Sequence, residues 1–375
     1  MVKQRPDSAG IPDADISLLK YLCGLVGVSV DPDLRLVDAG EAFWTDLTRI
    51  ASEQLVLTVM AGAVSRLRDL PPEADEALAF FRHIEDSNRQ RNKWLLEQLD
   101  LAGRALIDAG VPALVMKGGA FLLENRSDAA AWRFFGDLDF LVPEDRLEES
   151  VAALKALGYA DRGSVYHPKF HRHYPFLSHP DGGTGIDLHT RAAGLHQADL
   201  LDPQHFFSHA QTVSLDQGQI LIPSPTDRLA HLMVNAQVLD YRYQRRLFRL
   251  RDVLDFARLI GRADVDMDDI LKRFETYGAT GPMLAYLAMM ENVLRPAYQA
   301  PPEAAGEGKW VKSVRRVMEN PSRAKLYVFR HWVRMLAEKL FDREHRRHLF
   351  ERLLDRDQRA EFIGRRLSYW RIFRR

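Results

Sequence analysis

Gly136-Asp137-Leu138-Asp139-Phe140-Leu141-Val142 is the stretch on which the fold turns. Successive residues of a β-strand point to opposite sides, so Asp137 and Asp139 share one face while Leu138, Phe140 and Val142 share the other. The apolar face asks for a core. The acidic face carries a cost, because neighbouring carboxylates disfavour each other's ionised form. A divalent cation removes that cost, and Mg²⁺ suits one or two carboxylates completed by water and phosphate oxygens. A solvated strand face explains the same pair without any metal.

Upstream, residues 111–116 form a short apolar, β-branched run that reads as a strand and ends in Lys117-Gly118-Gly119, with a helix expected from 120 to 125. Glycines let backbone approach a phosphate chain closely, and a helix N-terminus favours anions. A tight strand-to-helix turn is the plainer reading.

Downstream, Pro143 ends the acidic strand, and 144–157 is an amphipathic helix closed by Gly158. The runs 170–179 and 184–190 flank Pro180-Asp181-Gly182-Gly183, a hairpin signal. Within Gly185-Ile186-Asp187-Leu188-His189, alternation sends Ile186 and Leu188 to the core and Asp187 and His189 to the other face. If this strand lies beside the first, a third carboxylate joins the pair. A further pair of short runs, 211–215 and 219–222, flanks Asp216-Gln217-Gly218.

Both flanks are helical in period. Before the α/β segment, 41–70 and 73–109 carry apolar residues at three- and four-residue spacings, separated by Pro71-Pro72. In the second of these, Phe80, Phe81, Ile84, Trp94, Leu95, Leu99, Ala102 and Leu106 form the expected buried stripe, with Asn88, Arg89, Arg91 and Lys93 on its polar flank. After Pro223-Ser224-Pro225, Thr226 or Asp227 can cap a new helix. Helical periodicity then continues almost to the end, interrupted by a loop at 296–308. The expectation is an α+β chain, mostly α: a helical region 1–109, an α/β core 110–223 with a small mixed sheet, and a helical region 224–375.

Composition narrows the function. The chain has 375 residues, 46% hydrophobic and 28% charged, with Lys plus Arg and Asp plus Glu equal at 52 each. A neutral balance argues against non-specific coating of nucleic acid. Cys23 is the single cysteine, which excludes an intrachain disulfide framework and a thiolate zinc site built by one chain. No apolar run is long enough to span a bilayer, and the N-terminus lacks the apolar core of a signal peptide, so a cytoplasmic location is expected.

Taken in order, Met116-Lys117-Gly118-Gly119, Arg133, Gly136 through Val142, Leu157-Gly158-Tyr159 and Ile186-Asp187-Leu188-His189 resemble the uncharacterised bacterial nucleotidyltransferases of the polymerase-beta superfamily. The flanking helices, including Leu250-Arg251-Asp252-Val253-Leu254-Asp255, resemble that family's flanks as well. The resemblance implies a polymerase-beta-like nucleotidyltransferase core and a chain that transfers a nucleoside monophosphate from an NTP to a hydroxyl acceptor, releasing pyrophosphate. It implies one or two Mg²⁺ ions on Asp137, Asp139 and Asp187, the catalytic and metal-binding set. Lys117, Gly118, Gly119, Arg133 and His189 are the implied nucleotide-binding residues. The acceptor is open: a small molecule, a sugar, a peptide or an RNA end. Compared with the wider superfamily, the gap from Gly119 to Asp137 is long, and Gly119 stands where Ser is favoured.

Several residues carry two readings. Arg133 could pair with a phosphate or with Asp137, or lie on the surface. His167, His171, His173 and His179 form a loose cluster that fits a metal site or a solvated rim. Arg245, Arg246, Arg249 and Arg251 crowd one stretch, and the helix from Thr226 could bring His231 and Asn235 toward the site. The arginine-rich, aromatic tail 341–375 suits either an anionic partner or a terminal helix packed on the body. Two other functions compete with catalysis: an inactive nucleotide-binding or scaffold protein on the same fold, and a nucleic-acid-binding module using the arginine-rich helices.

Overall fold

The computed structural model describes residues 41–64, 75–126, 133–161, 166, 171–179, 181–182, 184–194, 197, 200–294, 298–320 and 322–341. Cys23, the Pro71-Pro72 break, His167 and the tail beyond Phe341 lie outside the described residues. The described residues are mostly helical around a small mixed sheet, as the sequence led us to expect, and that sheet has seven strands among them.

Helices α1 (Glu41–Glu53), α2 (Leu57–Val64) and α3 (Asp75–Asp108) precede the sheet. Strand β1 (Leu114–Val115) leads into α4 (Lys117–Glu124), followed by β2 (Leu138–Leu141) and α5 (Leu147–Ala156). Strands β3 (Ala160–Asp161), β4 (Leu177–Ser178) and β5 (Gly185–His189) come next, then α6 (Pro203–Ser208) and the hairpin β6 (Gln211–Ser214) and β7 (Gln219–Ile222). Helices α7 (Pro225–Val234), α8 (Arg242–Arg245), α9 (Leu250–Ile260), α10 (Met267–Tyr277), α11 (Thr280–Leu294), α12 (Gly308–Glu319) and α13 (Ser322–Phe341) complete the described chain. Among the described residues, no helix is long and apolar enough to cross a membrane.

The sheet runs β3-β4-β5-β2-β1-β7-β6. Strand β2 sits at its centre, parallel to β5 and antiparallel to β1. Both expected hairpins form: β4 pairs antiparallel with β5, and β6 with β7. Register matters most between β2 and β5, where Asp139 stands opposite Asp187 and Leu141 opposite His189.

The alternation read from the acidic strand decides the packing. Leu138, Phe140 and Val142 join Leu95, Leu99 and Leu106 of α3, Leu154 of α5, and Ile186 and Leu188 of β5 in one apolar cluster. Full burial of a side chain such as Phe140 contributes roughly 2–3 kcal/mol. Leu141, on the face of Asp139, joins a different cluster with Trp44 and Leu47 of α1, Leu229 and Met233 of α7, and Val253 and Phe256 of α9. The carboxylate face is therefore not a solvent face. It looks onto helices drawn from both ends of the chain, and Asp139 is only 2% exposed.

Four local expectations change. The helix expected over 41–70 breaks between α1 and α2, where Leu55 adopts a φ of 57°. Ser224, rather than Thr226 or Asp227, caps α7: its side chain accepts the Asp227 amide, with Pro225 in the first turn. The 296–308 interruption contains a 3-10 turn, Pro302–Glu307. On α3, Phe80 is exposed while Asn88 is buried. The buried positions there are Phe81, Glu85, Asn88, Asn92, Leu95, Leu99, Ala102, Gly103 and Leu106, a stripe with polar residues set into it.

Candidate active site

Strands β2 and β5 deliver Asp139, Asp187 and His189 to one face of the sheet by register alone. One potential ligand atom from each of the three lies within 4.8 Å of the others, the spacing of a group that can hold a metal ion. Two carboxylates and an imidazole fit a divalent cation chemically. Among the described residues this is the one such group.

The carboxylate of Asp139 is heavily engaged. His189 Nε2 lies 2.9 Å from Asp139 Oδ1, and the Lys117 ammonium forms an ion pair with the same oxygen. Burial disfavours ionisation of Asp139, but Lys117 and His189 outweigh it and hold the carboxyl well below the usual range. Lys117 opens α4 with a φ of 49°, a left-handed backbone uncommon for a residue with a side chain. Such conformations persist where the surroundings over-determine them, and they gather at functional sites.

Asp137 immediately precedes β2 and is half-buried. Burial and the neighbouring Asp139 raise its pKa, with a smaller contribution from Asp187, against the opposing charges of Lys117 and Arg251. It therefore adjoins the site electrostatically, although it is not one of the three groups whose ligand atoms cluster.

Gly118 and Gly119 lie inside the first turn of α4, both buried. A Cβ on Gly118 would stand 2.5 Å from Phe135 Cδ1 and 2.8 Å from Arg133 Nη1, and one on Gly119 would stand 2.6 Å from Val115 Cγ1. Close packing of α4 against the acidic loop and β1 thus requires both glycines.

Arg133 is turned toward the C-terminal helices. Its Nε donates to Asp255 Oδ1 at 2.9 Å and its Nη2 to Asp255 Oδ2 at 2.7 Å, a bidentate pair with α9. The guanidinium also lies over the Phe135 ring, 4.8 Å from its centroid. The Arg133 carbonyl accepts Nδ2 of Asn88 at 3.3 Å and of Asn92 at 2.8 Å. Arg91 donates to the carbonyl of Phe135 and, at 3.5 Å, to that of Gly136. The hydroxyl of Thr184 donates to the same Gly136 carbonyl. The loop before Asp137 is therefore held by side chains from α3, from α9 and from the start of the β5 segment.

Three further features adjoin the site, of which His173 and His231 were weighed from sequence and the Asn88–Asn92 clamp was not. His173 packs its ring against His189 at 5.3 Å, edge to face, with Nδ1 4.0 Å from Asp187 Oδ1. His231 on α7 is 4% exposed, and its Nε2 has no hydrogen-bond partner. Burial first, then the charges of Lys117 and Arg172, push its pKa down to about 3. The third feature is the Asn88 and Asn92 clamp. An asparagine pair four apart, in phase with an apolar stripe, was the available signal, because a buried amide requires a partner. Of the loose histidine cluster, His179 packs on Trp94 and Tyr159, away from the acidic group.

No curated protein and no solved structure is found similar to this chain. A family model described as an uncharacterised nucleotidyltransferase matches residues 40–295, which include every residue of the site. With Asp139, Asp187 and His189 gathered on adjacent strands inside that matched span, the chain belongs to the family of uncharacterised nucleotidyltransferases.

Proposed function

We propose that the protein is a cytoplasmic, divalent-cation-dependent enzyme that transfers a nucleoside monophosphate from an NTP to a hydroxyl acceptor. The carrying observation is the convergence of Asp139, Asp187 and His189 within 4.8 Å in a member of a nucleotidyltransferase family. Asp137, Asp139 and Asp187 form the acidic centre, for which Mg²⁺ is the simplest cation. A cation bound there would neutralise charge on the phosphate oxygens. The acceptor oxygen attacks the α-phosphorus, the bond to pyrophosphate breaks, and the hydroxyl proton passes to Asp187. Lys117 and the backbone of Gly118 and Gly119 contact phosphates, and His189 orients Asp139. Arg133 positions the acidic loop through Asp255. The segment 110–223 carries the chemistry, and helices α1, α7 and α9 from the flanking helical regions wall its acidic face.

The acceptor is a small molecule, a sugar, a peptide or an RNA end. Incubating the protein with each α-labelled NTP, Mg²⁺ and a panel of these acceptors tests the reading. Pyrophosphate release that is lost in Asp139→Ala and Asp187→Ala supports it. A folded protein that binds neither nucleotide nor cation by calorimetry overturns it.

The Lys117–Asp139 ion pair favours one alternative, a nucleotide-binding or scaffold protein without turnover, because it occupies the most buried carboxylate of the acidic centre. Tight nucleotide binding without pyrophosphate release would select that alternative.

A further inference from the structure

We infer that the acceptor is a small phosphomonoester, its phosphate held by Arg251 and Arg258 on the face of α9 beside the acidic loop. The inference rests on the transfer reading above and names the class of acceptor. The phosphate serves only for binding. None of its bonds forms or breaks, and a free hydroxyl elsewhere in the same molecule is the group that attacks.

Helical period puts Arg251, Asp255 and Arg258 on one face of α9. Asp255, in the middle, is taken through both oxygens by Arg133. Asp240 and Asp252 are taken by Arg242. Arg258 is left without a carboxylate in ion-pair reach and lies over the Phe121 ring, 4.7 Å from its centroid. Arg251 reaches only Asp252, at 3.8 Å, too far for a hydrogen bond. Arg251 Nε and Arg258 Nη1 have no hydrogen-bond partner, so the protein itself engages neither group fully. Both side chains stay part-exposed, Arg251 at 29%, and an anion can reach their other nitrogens. Arg249, exposed just before α9, adds a guanidinium with no ion pair among the described residues.

Charge and position then select the ligand. A phosphomonoester carries roughly 1.5 to 2 negative charges at neutral pH, and its oxygens match guanidinium forks in pairs. Two or three unneutralised guanidiniums exceed what a single carboxylate needs. Arg133 stands between Gly118 and Asp255, and with Phe135 it closes the side of Gly118 turned toward α9. The phosphate contacts proposed at Gly118 and Gly119 therefore lie across that wall from Arg251 and Arg258, which leaves the arginines for a second anion. Arg251 is close enough to Asp137 for its charge to favour that carboxylate, so an acceptor held there adjoins the acidic centre.

The test is a ³¹P NMR titration of inorganic phosphate into the full-length protein at fixed ionic strength. The Mg²⁺ complex of an α,β-methylene NTP, which cannot transfer its nucleotide, is present at saturation. We expect phosphate to bind alongside the analogue, and Arg251→Gln and Arg258→Gln each to weaken that binding about tenfold or more. Arg104→Gln, at an exposed arginine paired with Asp108, should bind as the wild type does. If a glutamine variant fails to fold, Arg251→Lys and Arg258→Lys keep the charge without the fork and should weaken phosphate by a smaller factor. In the turnover assay, a sugar phosphate should exceed its parent sugar about tenfold in kcat/KM, and Arg251→Gln should erase that preference. Phosphate displaced by the analogue would assign the arginines to the NTP and overturn the inference, as would phosphate binding that both arginine variants leave unchanged. An analogue that binds while phosphate does not overturns the inference and leaves the proposed function standing. A folded protein that binds neither the analogue nor Mg²⁺ removes both.

Discussion

Arg133 and Asp255 form a two-point hydrogen-bonded ion pair, at 2.9 and 2.7 Å, between the loop that presents the acidic strand and helix α9. Both side chains are largely buried, at 12% and 16% exposure. Breaking a buried pair strands a charge, so Asp255→Ala or Arg133→Ala should each cost roughly 3–4 kcal/mol, measured by urea unfolding. A double replacement, Arg133→Met with Asp255→Leu, should recover part of the loss, because no charge is then left alone. A single variant as stable as the wild type would show that the pair contributes nothing.

The same pair sets an acid limit. Burial disfavours the Asp255 carboxylate, but the Arg133 guanidinium overrides it and holds the pKa below its ordinary value. A depressed folded pKa gives stability that is fully present above the unfolded value of about 3.9 and lost as pH falls through the folded one. In Arg133→Ala the folded pKa rises, so the acid-unfolding midpoint should move to higher pH. An unchanged midpoint would count against it.

His231 produces a different pH dependence. Its folded pKa of about 3 lies far below the ordinary histidine value, because burial excludes the charged ring. The unfolded state then binds more protons between about pH 6.5 and the folded pKa, so stability falls as pH drops through that window. Replacing His231 with Gln should flatten the stability profile between pH 7 and pH 4, read by thermal unfolding across buffers.

The glycines of α4 make a paired structural test. Gly118→Ala and Gly119→Ala each force a contact shorter than 3.0 Å, whereas an alanine at Gly136 meets nothing within 4 Å. Overpacking of this kind costs about 1–3 kcal/mol. We expect both α4 variants to be destabilised, and Gly136→Ala to unfold close to the wild type. Equal denaturation midpoints for all three would contradict the packing argument.

Lys117→Met removes the charge opposite Asp139. Because Lys117 is partly exposed, the loss should be about 2 kcal/mol, less than for a fully buried pair. Mg²⁺ should then raise the melting temperature of the variant more than that of the wild type, since Asp139 no longer carries Lys117 as an internal counter-ion. A smaller metal-induced shift in the variant would mean that Lys117 assists the ion rather than competing with it.

Much of this was legible in the sequence. Alternation along residues 136–142 and 185–189 determined which side chains share a face, because that period is a property of the extended backbone itself. Turn residues fixed both hairpins, and apolar spacing fixed the flanking helices. Only the tertiary structure decided that β5 lies parallel beside β2 with Asp139 opposite Asp187, that helices from both ends of the chain bury that face, and that Arg133 spends its guanidinium on Asp255. It likewise placed His189 within the metal-capable group and drew Asn88 and Asn92 onto the acidic loop. Strand neighbours and burial depend on contacts between residues far apart in the chain, which no local period encodes. Local chemistry selected the groups, and long-range packing chose their partners.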